Sequence, residues 1–248
     1  MKIVIENFIF KFNLKLYFKN KNDMIVRTGV IFLSREEKLR TIISTIDSSE
    51  YSNNKKDDIE IDCKIKTYRE AKDFWLASTY SKKKYADYKP FQFVDGEGVR
   101  CSIYLSGCLF ACKECFNESI QNFNAGKEYT QELEDVIIRD LKNSYVQGLT
   151  ILGGEPFLNT QVALSLVKRV RKEFGNNKDI WIYSGYTYEQ LLEGSEDKKE
   201  LLSLCDVLVD GPFIIALKDL SLKFRGSSNQ RIIDLKKSTK DNVVLYLS

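Results

Sequence analysis

Three cysteines fall within the eight residues Cys108-Leu109-Phe110-Ala111-Cys112-Lys113-Glu114-Cys115, and no fourth lies nearby. Three sulfurs so placed can hold three irons of a cubane cluster and leave the last iron without a protein ligand. An open metal site does chemistry, whereas a closed one usually does structure. The chain contains no histidine. The commonest alternative ligand is therefore missing, and so is every mechanism that needs an imidazole base. Thiolates also suit zinc, which would want a fourth protein ligand in a structural site; Cys101 or Cys205 could supply it. Cys101 shares a strand face with apolar neighbours and Cys205 stands just before Val207, so both read as core. A zinc-stabilised binding module stays open as the alternative from a different class.

From Tyr85 onward the chain repeats strand, loop and helix. Val99, Cys101, Ile103 and Leu105 alternate as a strand does, and the cysteine loop starts straight after them. Thr130 can cap a helix buried through Leu133, Val136, Ile137 and Leu141. Leu149–Leu152 is a short apolar strand running into Gly153-Gly154-Glu155-Pro156. Thr160–Phe174 is amphipathic and helical, Ile180–Tyr183 is the next strand, and Ser184-Gly185 breaks it. Tyr188–Leu202 covers one or two short helices around Gly194, and Val207–Val209 is a strand ending at Asp210-Gly211-Pro212. Strands alternating with helices predict an α/β fold with a parallel sheet and right-handed crossovers. In such sheets function gathers at the carboxyl ends of strands. The cysteine loop, the Gly-Gly-Glu-Pro turn, Ser184-Gly185 and Asp210 all fall there, which predicts one composite site.

The front third has its own pattern and no chemical motif. Phe8, Phe10, Phe12, Leu14, Leu16 and Phe18 alternate as a half-buried strand, and Met24–Leu33 reads as a second. Ser34 with Glu37 forms a capping box for a helix carrying Leu39, Ile42, Ile43 and Ile46 on one face. Ile59, Ile61, Cys63 and Ile65 alternate again, with Cys63 reading as a buried strand residue, and Tyr68–Tyr80 reads as a helix. Residues 1–84 are thus expected to be a small α+β appendage and residues 85–248 the main domain. The basic surplus sits in the appendage, with 18 Lys+Arg against 12 Asp+Glu, while residues 85–248 carry 20 against 23. A net charge of +3 is too small to argue for nucleic acid. No segment approaches the ~20 apolar residues needed to cross a bilayer. Lys11 and Lys15 break any signal-like run, and the cysteines form no secreted disulfide framework. A reducing, cytoplasmic location is expected.

The spacing Cys-x3-Cys-x2-Cys followed by Phe116, with Gly153-Gly154-Glu155-Pro156 after the next strand, resembles the radical S-adenosylmethionine (SAM) enzymes. The stretches Phe93–Arg100, Cys115–Asn117, Asp206–Gly211 and Arg225–Gln230 are similar to the activating proteins of anaerobic ribonucleoside-triphosphate reductases. This resemblance runs from about Tyr85 to about Leu235. It implies a partial (β/α) barrel with a [4Fe-4S] cluster on Cys108, Cys112 and Cys115, whose free iron is chelated by the methionine amino and carboxylate groups of SAM. It further implies that backbone around Glu114, Cys115 and Phe116 contacts SAM, with Phe116 near the adenine. Gly153, Gly154 and Glu155 would receive the ammonium end. Two glycines let the main chain approach a ligand without a Cβ clash, and a carboxylate accepts a charge-assisted bond from an ammonium.

The activity implied is that of an oxidoreductase. An electron from a low-potential donor such as flavodoxin cleaves SAM to methionine and a 5′-deoxyadenosyl radical, which takes a hydrogen from one glycine of the reductase. The resemblance also leaves room for activation of another glycyl-radical enzyme, such as pyruvate formate-lyase. The residues alone do not decide whether Asp210 and Arg225 face the site or serve as structural pairs and caps.

Overall fold

The computed structural model of the chain describes residues 3–5, 8–10 and 67–247. Contacts divide the chain into two compact units, Met1–Asp62 and Cys63–Ser248. In the first, β1 (Ile3–Ile5) and β2 (Phe8–Phe10) pair antiparallel, with Val4 opposite Ile9. The strand expected beyond Phe10, the strand Met24–Leu33, the capped helix from Ser34 and the Ile59–Ile65 alternation with Cys63 lie outside the described residues.

The second unit begins with α1 (Ala77–Tyr80), β3 (Lys84–Gln92), β4 (Val99–Leu105) and β5 (Lys127–Glu128). It continues with α2 (Gln131–Leu141), β6 (Val146–Gly153), α3 (Thr160–Phe174) and β7 (Asp179–Tyr183). The last elements are α4 (Tyr188–Leu192), α5 (Glu196–Ser203), β8 (Val207–Asp210), β9 (Arg231–Asp234) and β10 (Leu245–Leu247). Eight strands form one sheet in the order β10-β9-β8-β7-β6-β4-β3-β5. The four central strands β4, β6, β7 and β8 are parallel, as the strand–helix alternation requires. Both margins differ from the all-parallel expectation, because β3 and β5 on one side and β9 and β10 on the other join antiparallel. The architecture is mixed α/β with an open sheet that does not close into a barrel.

Local chemistry explains the elements around the site. Thr130 Oγ1 accepts the Leu133 N–H at 3.4 Å to start α2, and Glu132 and Glu134 in its first turn complement the helix dipole. In α3, Val162, Ala163, Leu166, Val167 and Val170 recur every three or four residues and are all buried. Gly175, at φ +56°, ends that helix and returns its N–H to Arg171 O at 2.9 Å. The helix expected over Tyr68–Tyr80 is reduced to α1. Upstream of it, Arg69 N–H donates to Phe110 O at 2.6 Å and Thr67 O accepts Lys113 N–H at 2.8 Å. The Thr67 carbonyl, committed to Lys113, is the acceptor that the first turn of such a helix would use.

Strand alternation sorts the sheet into two faces. Cys101, Ile103, Leu105, Leu149, Ile151, Ile180, Ile182 and Leu208 join the helices in the main core. On the other face Trp181, Val207, Val209 and Ile232 form a smaller cluster with Tyr183 and Phe224. Arg100 lies on that face, wholly buried. Its Nε donates to Thr150 Oγ1 at 2.7 Å, Nη1 to Glu97 O at 3.0 Å and Nη2 to Leu149 O at 2.8 Å, with Asp179 as its ion partner. This one guanidinium ties the Asp95-Gly96-Glu97-Gly98 turn to β6 and β7, and Thr150 Oγ1 in turn donates to Asp95 O at 2.9 Å. The turn is thereby held against the sheet face that carries Trp181, over which the Arg100 guanidinium also lies. Among the described residues, no helix is long and apolar enough to cross a membrane.

Candidate active site

Parallel strands deliver their carboxyl ends to one edge, and the candidate site is built there. β4 leads through Ser106-Gly107 into the cysteine loop, whose start is anchored by Gly107 N–H to Ile120 O and Cys108 N–H to Gln121 O, both at 2.9 Å. Cys108, Cys112 and Cys115 are all free thiols and line one cavity of about 580 Å³. Burial pushes the Cys112 thiol up to about 11, and burial followed by the Glu155 charge pushes Cys108 up as well. Both would lose their protons only to a metal. Among the described residues, no group of three or more Cys, Asp or Glu side chains forms a site for a single metal ion. The ligated irons of a cubane sit at separate corners, so its thiolates need not aim at one atom. The donor set, three soft sulfurs lining one cavity with no fourth among the described residues, fits such a cluster.

The Gly153-Gly154-Glu155 turn closes against the cysteine loop. Gly154 N–H donates to Leu105 O and Glu155 N–H to Gly107 O, each at 2.7 Å. A Cβ on Gly154 would stand 2.3 Å from Gly107 O, and one on Gly153, at φ +112°, 2.7 Å from Leu105 N. The glycines are therefore demanded by the protein's own backbone at least as much as by a ligand. Asn117 fastens the same seam, its side-chain amide donating to Gly153 O at 3.3 Å and its N–H to Cys115 Sγ at 3.4 Å.

Glu155 is completely buried. Its Oε1 accepts Phe157 N–H at 3.0 Å and Ser184 Oγ–H at 2.9 Å, and its Oε2 accepts Gly185 N–H at 2.7 Å. Burial raises its carboxyl to about 7, against the lowering effect of those donors and of Lys198. Three donors leave one lone-pair direction of the carboxylate open. Ser184-Gly185 thus reaches the site by holding this carboxylate.

The sequence-predicted residues Cys108, Cys112, Cys115, Phe116, Gly153, Gly154 and Glu155 all line the cavity. Glu114 does not; it is exposed with φ +56°. Phe116 is 61% exposed and packs on Phe213 with ring centroids 5.3 Å apart. The two undecided residues separate. Asp210 is structural: buried, it accepts Tyr188 N–H at 2.8 Å and pairs with Arg231. Arg225 lines the cavity; Nη1 donates to Gln230 O at 3.0 Å while its buried Nε has no partner. It is the one cationic side chain among the described residues of the lining. Phe213, Leu220, Leu222 and Gln230, also in the lining, carried no spacing signal, because loop residues are brought in only by the turn after β8. Cys101 and Cys205 belong to the core and do not line the cavity. Neither can complete a zinc site there. A second cavity, of about 620 Å³ around Arg171, Tyr188 and Lys236, contains none of the three loop thiols.

A buried acid, a guanidinium with one unpartnered nitrogen and three free thiols lining one cavity fit an iron–sulfur protein. Residues 94–233 match the family model of a 4Fe-4S single cluster domain. The chain is 43% identical over 152 residues to the anaerobic ribonucleoside-triphosphate reductase-activating protein of Vibrio cholerae serotype O1, covering 60% of this chain and 96% of that one. It is 40% identical over 156 residues to the protein of that name from Escherichia coli K12 (61% and 99%). It is 36% identical over 145 residues to that of Enterobacteria phage T4 (58% and 88%). The chain belongs to the family of anaerobic ribonucleoside-triphosphate reductase-activating proteins.

Proposed function

We propose that this chain activates an anaerobic ribonucleoside-triphosphate reductase by cleaving SAM at a [4Fe-4S] cluster on Cys108, Cys112 and Cys115 and installing a glycyl radical on the reductase. The observation that carries this reading is the meeting of three free thiols with the Gly153-Gly154-Glu155 turn on one cavity. Held by Cys108, Cys112 and Cys115, the cluster would supply the one-electron reduction that SAM cleavage to methionine, and hydrogen abstraction from the glycine, would require. The chain's own residues position. Glu155 offers its remaining lone pair to the methionine ammonium, Arg225 faces the carboxylate, and the Phe116–Phe213 pair offers an aromatic surface to the adenine. No general acid or base is needed, which suits a chain without histidine.

The exposed apolar side chains Val94, Phe116 and Leu220 rim the cavity and suit contact with a loop of the reductase. Flavodoxin or a similar low-potential protein is the electron donor in this reading, and the cytoplasm its location. The open sheet is taken as a partial (β/α) barrel. The enzyme domain proper is assigned to residues 85–248, and residues 1–84 to an N-terminal appendage of unknown function.

Anaerobic reconstitution is expected to load about four irons and four sulfides per chain. Mixing the loaded protein with SAM, reductant and the reductase should yield a glycyl-radical signal by electron paramagnetic resonance. Cluster loading with SAM cleavage but no such signal would remove the reductase as substrate. One zinc without sulfide would remove the cluster.

The raised Glu155 carboxyl makes cofactor binding pH-dependent. Below about 7 the acid is mostly protonated and cannot pair with an ammonium, so SAM affinity should fall toward tenfold per pH unit as pH drops below that value. Glu155→Gln should bind more weakly and lose this slope. Equilibrium binding of SAM to loaded protein between pH 6 and 8 reads both.

A further inference from the structure

Upstream of the matched domain, which begins at residue 94, a short segment crosses behind the cysteine loop and is bonded to it. Arg69 N–H donates to Phe110 O at 2.6 Å, between the first and second thiols, and Thr67 O accepts Lys113 N–H at 2.8 Å, between the second and third. Trp75, 5% exposed, then sets its ring edge-on against Phe110, with centroids 5.3 Å apart at 87°. Phe110 is a wall of the cavity, and its other ring contact is Tyr186, at 5.0 Å and 83°. The carbonyl of Trp75 accepts the buried Lys198 ammonium at 2.8 Å, and that ammonium also donates to Tyr186 Oη at 3.0 Å.

A loop with this geometry needs outside support. Ala111, at φ +47°, and Glu114, at φ +56°, are both left-handed without being glycine. Such residues cost of order 1 kcal/mol each and persist only where surrounding contacts over-determine them. The two main-chain bonds bracket Ala111, and the second ends on the residue before Glu114. A few residues further on, Ser81 Oγ–H donates to Asn159 Oδ1 at 2.6 Å, just beyond the Gly153-Gly154-Glu155-Pro156 turn. The chain from Thr67 to Ser81 is therefore tied to the cysteine loop and to the residues just after the glycine turn, and none of its side chains lines the cavity.

We propose that Thr67–Trp75 is a strap that holds the cysteine loop in its cluster-binding shape, and that Trp75 is a positioning residue acting through Phe110. The inference rests on the cluster reading above. The strap replaces solvent behind the loop with an aromatic plug and two main-chain bonds, so it governs how tightly the cluster is retained.

Four substitutions in the full-length, cluster-loaded protein test this. Arg69→Pro deletes the N–H that reaches Phe110, whereas Arg69→Ala keeps it. Trp75→Ala removes the plug, whereas Trp75→Phe keeps an aromatic edge against Phe110. Iron transfer to a chelator should quicken several-fold to about tenfold in Arg69→Pro and Trp75→Ala, in line with losing one hydrogen bond or packing contact. Arg69→Ala should match the parent, and Trp75→Phe should be largely restored. The reduced cluster's paramagnetic resonance should broaden in the first two variants alone. If Trp75→Ala does not fold, as judged by circular dichroism, the Arg69 pair decides. Equal iron-loss rates and unchanged spectra in Arg69→Pro and Arg69→Ala would overturn the strap. A parent protein that takes up no iron would overturn the cluster reading instead.

Discussion

Replacing any one of Cys108, Cys112 or Cys115 by Ala is expected to abolish methionine release from SAM, a loss of at least about 1,000-fold. Each thiol would hold a different corner of the cluster, and no other cysteine among the described residues lines the cavity. The chain has no histidine, Cys101 and Cys205 are buried in the core, and Glu155 is occupied by three donors. Removing a thiol therefore leaves a second iron open and the cluster labile. The three variants should fold, because the thiols line a cavity and only Cys108 and Cys112 touch the core, at its margin. Iron content and methionine release on the same preparations check this. A variant retaining both would show that its cysteine is not a ligand.

Gly154→Ala should be nearly as damaging, although it removes nothing. The added methyl group would meet Gly107 O at 2.3 Å, with Gly107 C and N at 2.8 and 2.9 Å. Those are backbone atoms, so relief requires the cysteine loop and the Glu155 turn to move apart. The bonds at the seam, Gly154 N–H to Leu105 O and Glu155 N–H to Gly107 O, would stretch together. Overpacking of this kind costs ~1–3 kcal/mol in stability. The larger effect falls on the site, where thiols and carboxylate would lose their relative placement, and a misplacement of 1 Å can cost about 100-fold in rate. Thermal unfolding of the metal-free protein and iron loading of the same variant separate the two effects. Wild-type loading and turnover in Gly154→Ala would show that the seam tolerates a side chain.

Much of the framework was legible in the residues. The alternation Val99, Cys101, Ile103, Leu105 placed β4 at its observed bounds, and the periodic apolar positions of Thr160–Phe174 did the same for α3. Gly194 marked the break between α4 and α5. These succeeded because each pattern reports burial of one face by one element. The antiparallel margins were not legible. β3 contains Lys84, Asp87, Lys89 and Pro90 and buries no residue fully, so no two-residue period stands out. The Tyr68–Tyr80 segment misled for the opposite reason: its composition suits a helix, but at its start Thr67 O and Arg69 N–H are bonded to the cysteine loop.

The spacing of three sulfurs, the missing histidine and the double glycine before an acid pointed to an iron–sulfur site, since ligand type, ligand number and backbone freedom are properties of residues taken in order. Which way Arg225 faces, how many donors already hold Glu155, that Asp210 pairs with Arg231, and that Trp75 backs Phe110 were decided only by folding. Those are relations between segments tens of residues apart, and no local pattern records which groups a packed interior will leave unpartnered.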